Sequence, residues 1–282
     1  MLQAAQMGER LFGTDGIRGV ANQFPITPEV ALQLGRAVAR ALEAARPGKH
    51  KVVIGKDTRV SGSMLETALT SGLVSEGATV LLTGPVPTPA VAHLTRSMAC
   101  DAGIMLTASH NPYADNGIKV FGPDGYKLGD GLESEIERMI GESELGGPAE
   151  GARIGKAFRI DDSVGRYIEF AKSAVGAKSL EGLKVVVDCA NGAAYFVGPL
   201  IFEELGAEVI KLGTKPDGRN INENCGALHP EGAAEAVRSH GADIGICCLG
   251  CGRRVMLPRS KFEKRVKQII VDPPGDTEPD QR

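Results

Sequence analysis

The chain has 282 residues, of which 42% are hydrophobic and 24% are charged, and its formal net charge at pH 7 is -3. This length and composition suit a soluble globular protein of about two domains, and the charge gives no general attraction to nucleic acid or to an anionic membrane. Six cysteines are too few for a disulfide scaffold at this length. The sequence therefore predicts a cytoplasmic protein with reduced thiols that binds neither nucleic acid nor membrane.

Short apolar segments alternate with helical patterns along the first half of the chain, which predicts an α/β fold with a mixed or parallel sheet. Thr27 is expected to cap a helix that has Pro28 in its first turn. A glycine-rich acidic stretch at 141–151 predicts a linker. The elements predicted before it are helices at 27–46, 61–75 and 132–140 and strands at 51–55, 78–82, 101–106 and 118–121.

The second half repeats this alternation as far as Leu257. Its predicted elements are helices at 164–175, 193–205 and 231–239 and strands at 184–188, 208–212 and 243–247. Beyond them the sequence is first mostly basic and then rich in proline and acidic residues, a composition that favours a disordered tail. These patterns predict a domain at 1–150, a second domain at 151–257 and a tail at 258–282.

Ser109 lies in the segment TASHNP at 107–112, directly after a predicted buried strand. A loop at the end of a strand can present a hydroxyl to a ligand. Pro112 stops a helix from beginning there and stiffens the loop. A serine in this position, with His110 beside it, can carry a phosphoryl group.

Three further segments contain residues that suit an anionic ligand. In FGTDGIRG at 12–19, the glycines allow the backbone to approach a ligand closely, and Arg18 can hold a phosphate by two parallel hydrogen bonds. KDTR at 56–59 lies between a strand and a helix, where anions bind. Lys119 would lie near Ser109 and supply charge stabilisation or proton transfer. The structural alternatives are a turn, a helix cap with a salt bridge and an exposed strand lysine.

Two other chemistries remain open at this point. Ser109 and His110 would be the nucleophile and base of a hydrolase, although the chain has no Gly-x-Ser-x-Gly elbow and adjacent loop residues usually point apart. Cys247, Cys248 and Cys251 would form a soft-metal or redox site. No second cysteine pair or histidine lies at zinc-finger spacing from them, which favours chance clustering.

Several segments together resemble the α-D-phosphohexomutases, and most closely the bacterial phosphoglucosamine mutases within that family. They occur in the order found in the family, and the resemblance spans roughly Leu11 to Met256. The serine loop and the Arg18 segment are highly specific in combination. The segments that carry the resemblance are 12–20, 56–59, 107–112, 116–127, 187–193 and 216–230.

The resemblance implies a chemistry and a role for each candidate residue. In the family the loop serine, here Ser109, is phosphorylated and donates its phosphoryl group to a sugar monophosphate. The resulting bisphosphate turns over in the cleft and returns its other phosphate to the serine. Arg18 would steady the phosphoserine, and His110 and Lys119 would border the reacting oxygens. The implied fold is two consecutive α/β domains with mixed sheets sandwiched by helices.

The family binds Mg²⁺ through the phosphoserine and three aspartates of an Asp-Gly-Asp-Gly-Asp-Arg loop. The corresponding residues here read LGCGRR at 249–254, so Leu249, Cys251 and Arg253 replace the aspartates. Mg²⁺ requires hard oxygen ligands in an octahedral array, and none of these three side chains supplies one. The resemblance therefore implies Mg²⁺ as cofactor and Ser109 as a metal ligand, while the sequence predicts poor binding of the ion.

Family members carry two further domains, so the chain resembles only their N-terminal portion. The implied function is interconversion of glucosamine 6-phosphate and glucosamine 1-phosphate, a step toward amino-sugar and peptidoglycan precursors. The missing aspartates and domains predict that this chain is impaired or inactive, and the alternative is a non-catalytic remnant or binding protein of the same fold. Apolar surface left uncovered predicts self-association.

Overall fold

The computed structural model describes residues 11–13, 16–141, 149–176, 178–242, 244–247 and 254–257. Up to the end of the first sheet, its elements are β1 (Ile17–Val20), α1 (Pro28–Ala45), β2 (Lys51–Lys56), α2 (Gly62–Ser75), β3 (Thr79–Pro85), α3 (Thr88–Ser97), β4 (Ala102–Leu106), β5 (Asp115–Phe121), α4 (Asp130–Gly141) and β6 (Lys156–Arg159). The later elements are α5 (Ser163–Ser173), β7 (Lys184–Asp188), α6 (Val197–Glu204), β8 (Glu208–Leu212), α7 (Glu231–His240), β9 (Ile244–Cys247) and β10 (Arg254–Leu257). The predicted α/β class is confirmed.

The first six strands form one sheet in the order β1-β5-β4-β2-β3-β6. The pairs β4–β2, β2–β3 and β3–β6 are parallel, whereas β1–β5 and β5–β4 are antiparallel. The sheet is therefore mixed, as the sequence predicts. All five residues of β4 are buried, which is expected of a central strand covered on both faces. This strand ends three residues before Ser109.

Helices cover both faces of this sheet. On one face, α1, α2 and α4 enclose the larger apolar core, which includes Leu34, Leu69 and Ile136. On the other face, α3 contributes Val91 and Leu94 to a smaller core that also contains Met105 of β4. The helix α1 begins as predicted, because the Thr27 hydroxyl accepts a hydrogen bond from the backbone N–H of Val30. The site must lie at the strand ends, since the sheet faces are filled.

Glycines allow α1 and α2 to pack backbone against backbone. A Cβ built on Gly35 would lie 2.4 Å from the carbonyl oxygen of Leu69. A Cβ built on Gly72 would lie 2.1 Å from the carbonyl oxygen of Leu32. Both distances are shorter than any real contact of a methyl group, so the helix separation depends on these two glycines.

The second half of the chain packs against the α3 face of the first sheet. Its strands β7 and β8 pair in parallel, with Lys184 opposite Glu208. The ring of His93 on α3 stacks on Phe170 of α5, with 3.9 Å between the ring centroids. Burial in this contact, and secondarily the charge of Arg96, lowers the pKa of His93 below its usual value. The stack is therefore a contact of the neutral imidazole.

Several elements depart from the sequence prediction. The strand β1 and the helix α3 are additional to it, and β6 forms within the predicted second domain yet pairs with β3 of the first sheet. The predicted helix at 193–205 begins only at Val197. The domain boundary at residue 150 stays a prediction. The edge strand β6 of the first sheet lies beyond that boundary.

Some predictions fall on residues outside the described part of the chain. Most of the predicted linker, at 142–148, and the tail at 258–282 belong to this group. So do Leu249, Cys251 and Arg253. Within the described residues, the structure contains no helix with the length and apolar character that a bilayer crossing requires.

We expect Gly72→Ala to lower the free energy of unfolding by about 1–3 kcal/mol, because the new methyl group must push α1 and α2 apart. Gly165→Ala is the matched control: it lies in helix α5 with no atom within 4 Å of its built Cβ, and alanine there should raise stability by up to about 1 kcal/mol. Urea denaturation of the three proteins measures both values. Equal stability of Gly72→Ala and wild type would contradict the close helix crossing.

Candidate active site

Ser109 is presented by a loop that follows the buried strand β4. Its side chain is exposed, and its backbone has φ = 56°. This left-handed conformation is uncommon for a residue with a Cβ and persists only when the surroundings hold it. The prediction that the loop presents the serine at the strand end is consistent with this geometry.

A buried acid and a buried base hold the loop from the first half of the chain. The carboxylate of Asp57 contacts the guanidinium of Arg59, and it also accepts a hydrogen bond of 2.6 Å from the Thr107 hydroxyl. The Thr107 hydroxyl oxygen in turn accepts the backbone N–H of Ser109 at 3.1 Å. Thr107 holds the backbone of Ser109, and Thr107 is in turn held by Asp57, which is paired with Arg59.

The Arg59 guanidinium also reaches the serine loop directly. One terminal nitrogen donates to the carbonyl oxygen of Asn111 at 2.6 Å and to that of Ser109 at 3.3 Å. The side chain of Arg59 is fully buried. Because a planar guanidinium offers five donors in a rigid fork, one residue can pair with a carboxylate and two carbonyls at once.

Arg18 and Lys119 lie on one face of the sheet, near the serine loop. In the antiparallel ladders Arg18 is opposite Gly117, and Lys119 is opposite Met105. Opposed residues and residues two apart share a sheet face, so Arg18 and Lys119 share the α3 face with Met105. The backbone N–H of Thr107 donates to the Gly117 carbonyl at 2.9 Å, which puts this part of the sheet level with the start of the loop.

The lack of a side chain at Gly117 allows the start of the serine loop and Arg18 to lie close to the strand β5. A Cβ at this position would lie 2.7 Å from the carbonyl oxygen of Thr107 and 3.1 Å from Cγ of Arg18. Any larger residue would displace either the start of the serine loop or the arginine. The sequence motif Asn116-Gly117 therefore has a steric reason at this site.

The second half of the chain contacts both the segment at 58–60 and the serine loop through hydrogen bonds. The Thr58 hydroxyl donates to the Asn191 carbonyl at 2.5 Å, and the backbone N–H of Val60 donates to the Gly218 carbonyl at 2.9 Å. The side-chain amide of Asn222 donates to the carbonyl oxygens of Ser109 and Asn111, each at 3.0 Å. Residues far apart in sequence thus meet at the serine.

A cavity of about 310 Å³ adjoins Ser109 between the two halves of the chain. Cys189 lines it, and burial raises the pKa of its thiol to about 11. A thiol with this pKa stays protonated at neutral pH and is a poor nucleophile. Ser109 also lines this cavity, together with the polar residues Asp57, Thr88, Thr107 and Asn222.

Two further sequence predictions concern His110 and the KDTR segment. His110 is exposed, and the described residues include no hydrogen bond between it and the Ser109 hydroxyl, which leaves the hydrolase interpretation without support. The predicted anion site at KDTR is instead an internal network, in which Lys56 pairs with Glu66 at 2.7 Å and Asp57 contacts Arg59. For this segment the salt-bridge alternative is the one observed.

The roles of Asp57, Thr107 and Asn222 are not among the sequence predictions. The first two lie within the segments singled out above, and a polar residue flanking a buried strand end is a usable signal. Asn222 is 113 residues from Ser109, and no local pattern connects them. Only the fold reveals that contact.

Mg²⁺ does not fit the residues available to hold it. Among the described residues, no group of three or more His, Cys, Asp or Glu side chains could bind a metal ion. Where the resemblance would put the family's aspartates, the sequence has Leu249 without a donor atom, Cys251 with a soft sulfur and Arg253 with a positive charge.

Comparison with known families gives two matches along the chain. Residues 9–146 match the family described as "Phosphoglucomutase/phosphomannomutase, alpha/beta/alpha domain I". Residues 229–270 match a second family, described as "Bacterial protein of unknown function (DUF951)". The segment that contains Leu249, Cys251 and Arg253 therefore resembles a second family, which is an alternative to the prediction that it is a degenerate metal loop.

Individual relatives cover most of the chain but only part of their own length. The chain is 60% identical over 253 residues to a phosphoglucosamine mutase of Cereibacter sphaeroides, a match that covers 89% of this chain and 56% of the relative. It is 59% identical to a phosphoglucosamine mutase of Dinoroseobacter shibae, with the same coverage of each chain. The chain thus spans about half the length of the curated relatives it matches.

A solved structure agrees with this assignment. A phosphoglucomutase/phosphomannomutase family protein from Burkholderia thailandensis superposes with a TM-score of 0.68 at 28% identity, covering 82% of this chain and 49% of that one. Its likeness includes the α/β architecture described above. Over residues 9–146 the chain matches the phosphoglucomutase/phosphomannomutase family, and its similarity to the phosphoglucosamine mutases is consistent with their N-terminal portion.

Proposed function

We propose that this chain carries the phosphoserine chemistry of a phosphohexomutase, with Ser109 as the residue that accepts and donates the phosphoryl group. The observation that supports this most strongly is the exposed Ser109, held with φ = 56° at the end of β4 by Arg59 and Asn222. Arg18 and Lys119, on the neighbouring sheet face, supply the positive charge that a phosphoryl group requires.

Transfer to Ser109 forms a bond between the serine oxygen and phosphorus, and the bond from that phosphorus to a sugar oxygen breaks. The hydroxyl proton ends on the departing sugar oxygen. Such transfers depend on positioning and charge neutralisation more than on covalent assistance. Arg18 would hold the phosphoserine oxygens, while His110 and Lys119 would border the oxygens that exchange the proton.

The substrate class follows from the relatives. Those with 56–60% identity are named phosphoglucosamine mutases, so we propose glucosamine 6-phosphate and glucosamine 1-phosphate as the pair interconverted through a sugar bisphosphate. Because the chain spans about half of those relatives, the complete cycle is itself part of the proposal. We expect turnover by this polypeptide to be lower by about a thousandfold or more, since a catalytic metal contributes several kcal/mol and its ligands are replaced.

A non-catalytic role is the second candidate, and a specific observation favours it. Residues 229–270 match a different family, and the three residues at the metal-loop positions lack carboxylates. In that case the fold would bind a phosphosugar without completing the isomerisation. Phosphorylation of Ser109, measured below, separates a working phosphoryl carrier from this alternative.

The setting of the protein is also proposed. A cytoplasmic location suits Cys100, Cys189 and Cys225, which are free thiols in the structure, and it suits the metabolic relatives. The formal charge of -3 gives no general attraction to nucleic acid or to an anionic membrane, and a phosphosugar is the proposed partner, bound by local positive groups.

We predict that incubation with glucose 1,6-bisphosphate adds one phosphoryl group to the wild-type protein, on Ser109. Ser109→Ala should remove this modification because the accepting oxygen is gone. Ser71→Ala is the matched control, since its hydroxyl is exposed on α2 and bonds only to the Thr67 carbonyl. Intact-mass and peptide mass spectrometry make the measurement, and label that persists in Ser109→Ala would refute the assignment.

A triple substitution tests the interpretation of the residues at 249–253. If these residues occupy the family's metal loop, the variant Leu249→Asp, Cys251→Asp, Arg253→Asp should bind Mg²⁺, because it regains three hard oxygen ligands. Isothermal calorimetry with MgCl₂ measures the uptake, with wild type as control. A triple variant that shows no uptake would instead favour the assignment of this segment to the second family.

Self-association is also expected, because exposed apolar side chains provide a contact surface. Six large apolar side chains of the second half are exposed: Ile154, Phe158, Phe170, Val175, Phe196 and Leu228. We predict elution ahead of the monomer on size-exclusion chromatography, and a shift toward monomer in Phe158→Lys/Phe196→Lys. Phe24→Lys, an exposed phenylalanine of the first half, should leave the elution unchanged. A monomeric wild-type protein would contradict the prediction.

A further inference from the structure

The serine loop receives hydrogen bonds from both halves of the chain at the same two atoms. Arg59, from the first half, and Asn222, from the second, each donate to the carbonyl oxygens of Ser109 and Asn111. Both acceptors follow the Cα of Ser109: the first is the carbonyl of the left-handed residue itself, and the second lies two residues further along the loop. Whatever fixes these carbonyls therefore fixes the direction of the serine side chain.

The loop that carries Asn222 is itself held rigidly. Its backbone N–H donates to the Ala190 carbonyl at 2.9 Å. The carboxylate of Asp188 accepts the backbone N–H groups of Ala190 at 2.9 Å and Gly226 at 2.8 Å, which ties the two neighbouring loops together. Asn222 also adopts a left-handed backbone, with φ = 60°. Its amide is thus aimed at the serine loop by a fixed scaffold.

We propose that Asn222 is a positioning residue for phosphoryl transfer, which orients Ser109 by fixing the serine's own carbonyl and that of Asn111. The proposal rests on the function proposed above for Ser109. It assigns no contact between Asn222 and the substrate. Its consequence is that the serine loop becomes competent only when the second half of the chain is docked on the first.

Arg59 donates to the same two carbonyls, but its substitution would not test the positioning proposal cleanly. Its side chain is fully buried against Asp57, so its removal leaves an unpaired buried carboxylate and destabilises the fold strongly. Asn222 lies nearer the surface, and its removal leaves carbonyls that Arg59 still satisfies. The effect of Asn222 on the reaction can therefore be separated from its effect on folding.

The left-handed backbone offers a substitution that isolates the amide. Asn222→Gly keeps φ near 60° without strain, since glycine adopts this region freely, and it removes only the donor. Asn224→Gly is the matched control, because Asn224 is exposed in the same loop with φ = 52°. Both variants should melt close to the wild-type temperature.

The test follows the rate of Ser109 phosphorylation by glucose 1,6-bisphosphate across a concentration series. We expect Asn222→Gly to lower the limiting rate by about 10- to 100-fold, because small misplacements of a reacting group have effects of this size. The half-saturating bisphosphate concentration should stay unchanged, as should both constants in Asn224→Gly. A wild-type limiting rate in Asn222→Gly, or a change confined to half-saturation, would overturn the proposal.

Hydrogen exchange provides a second test, which does not depend on the reaction. The amides at 109–111 should exchange faster in Asn222→Gly than in wild type or Asn224→Gly, and unchanged exchange would overturn the positioning role. If wild type itself takes no label while exchange responds, the proposed function fails and the structural coupling stands. The two failures are thereby distinguished.

Discussion

The contact between the Asp57 carboxylate and the Arg59 guanidinium is the interaction on which the candidate site depends. Both side chains are buried, and each also bonds to the serine loop: the carboxylate holds Thr107, and the guanidinium holds the carbonyls of Ser109 and Asn111. Removing one member of such a pair typically destabilises a protein by about 3–5 kcal/mol. The same groups thus serve the stability of the first half and the geometry of the serine.

Left-handed backbone conformations concentrate around this contact. Ser109, Ala190, Asn191 and Asn222 all have positive φ without being glycine, and they lie in the loops that meet between the two halves. Each such residue costs of order 1–3 kcal/mol unless its surroundings enforce it. Some of the groups that hold them lie in the same half, as with Asp188 and Ala190, whereas the Asn222 amide and the Thr58 hydroxyl bond across the halves to the carbonyls of Ser109 and Asn191. Conformational strain and docking of the two halves therefore meet in the same loops.

The sequence predicts the elements whose signals are local. The cap at Thr27 and the apolar spacing after it specify α1, and the buried run before Ser109 specifies β4. The helix α3 escapes prediction because the proline-rich segment before it reads as a turn, although Pro89 in its first turn is a helix-start signal. The strand β6 has four exposed residues and so lacks the alternation by which strands are recognised.

The residues of the candidate site also include some that local sequence signals predict and one that they do not. Ser109, Arg18 and Lys119 are predictable from motifs, because each lies within a compact segment whose residue types suit phosphate. The contact from Asn222 is not predictable, since its partner is remote in sequence and the geometry arises only when two loops pack. Long-range hydrogen bonds to backbone carbonyls leave no trace in residue periodicity.

The edge strand β6 bears on how the first half of the chain can be prepared by itself. Residues 9–146 match a family domain, yet the six-stranded sheet is finished only by Lys156–Arg159, and the N–H of Ile160 still bonds to the Leu82 carbonyl at 2.8 Å. A fragment ended at the family boundary would uncover the backbone donors and acceptors of β3, which is a template for aggregation. An expression fragment that includes Ile160 retains this strand and its covering bonds.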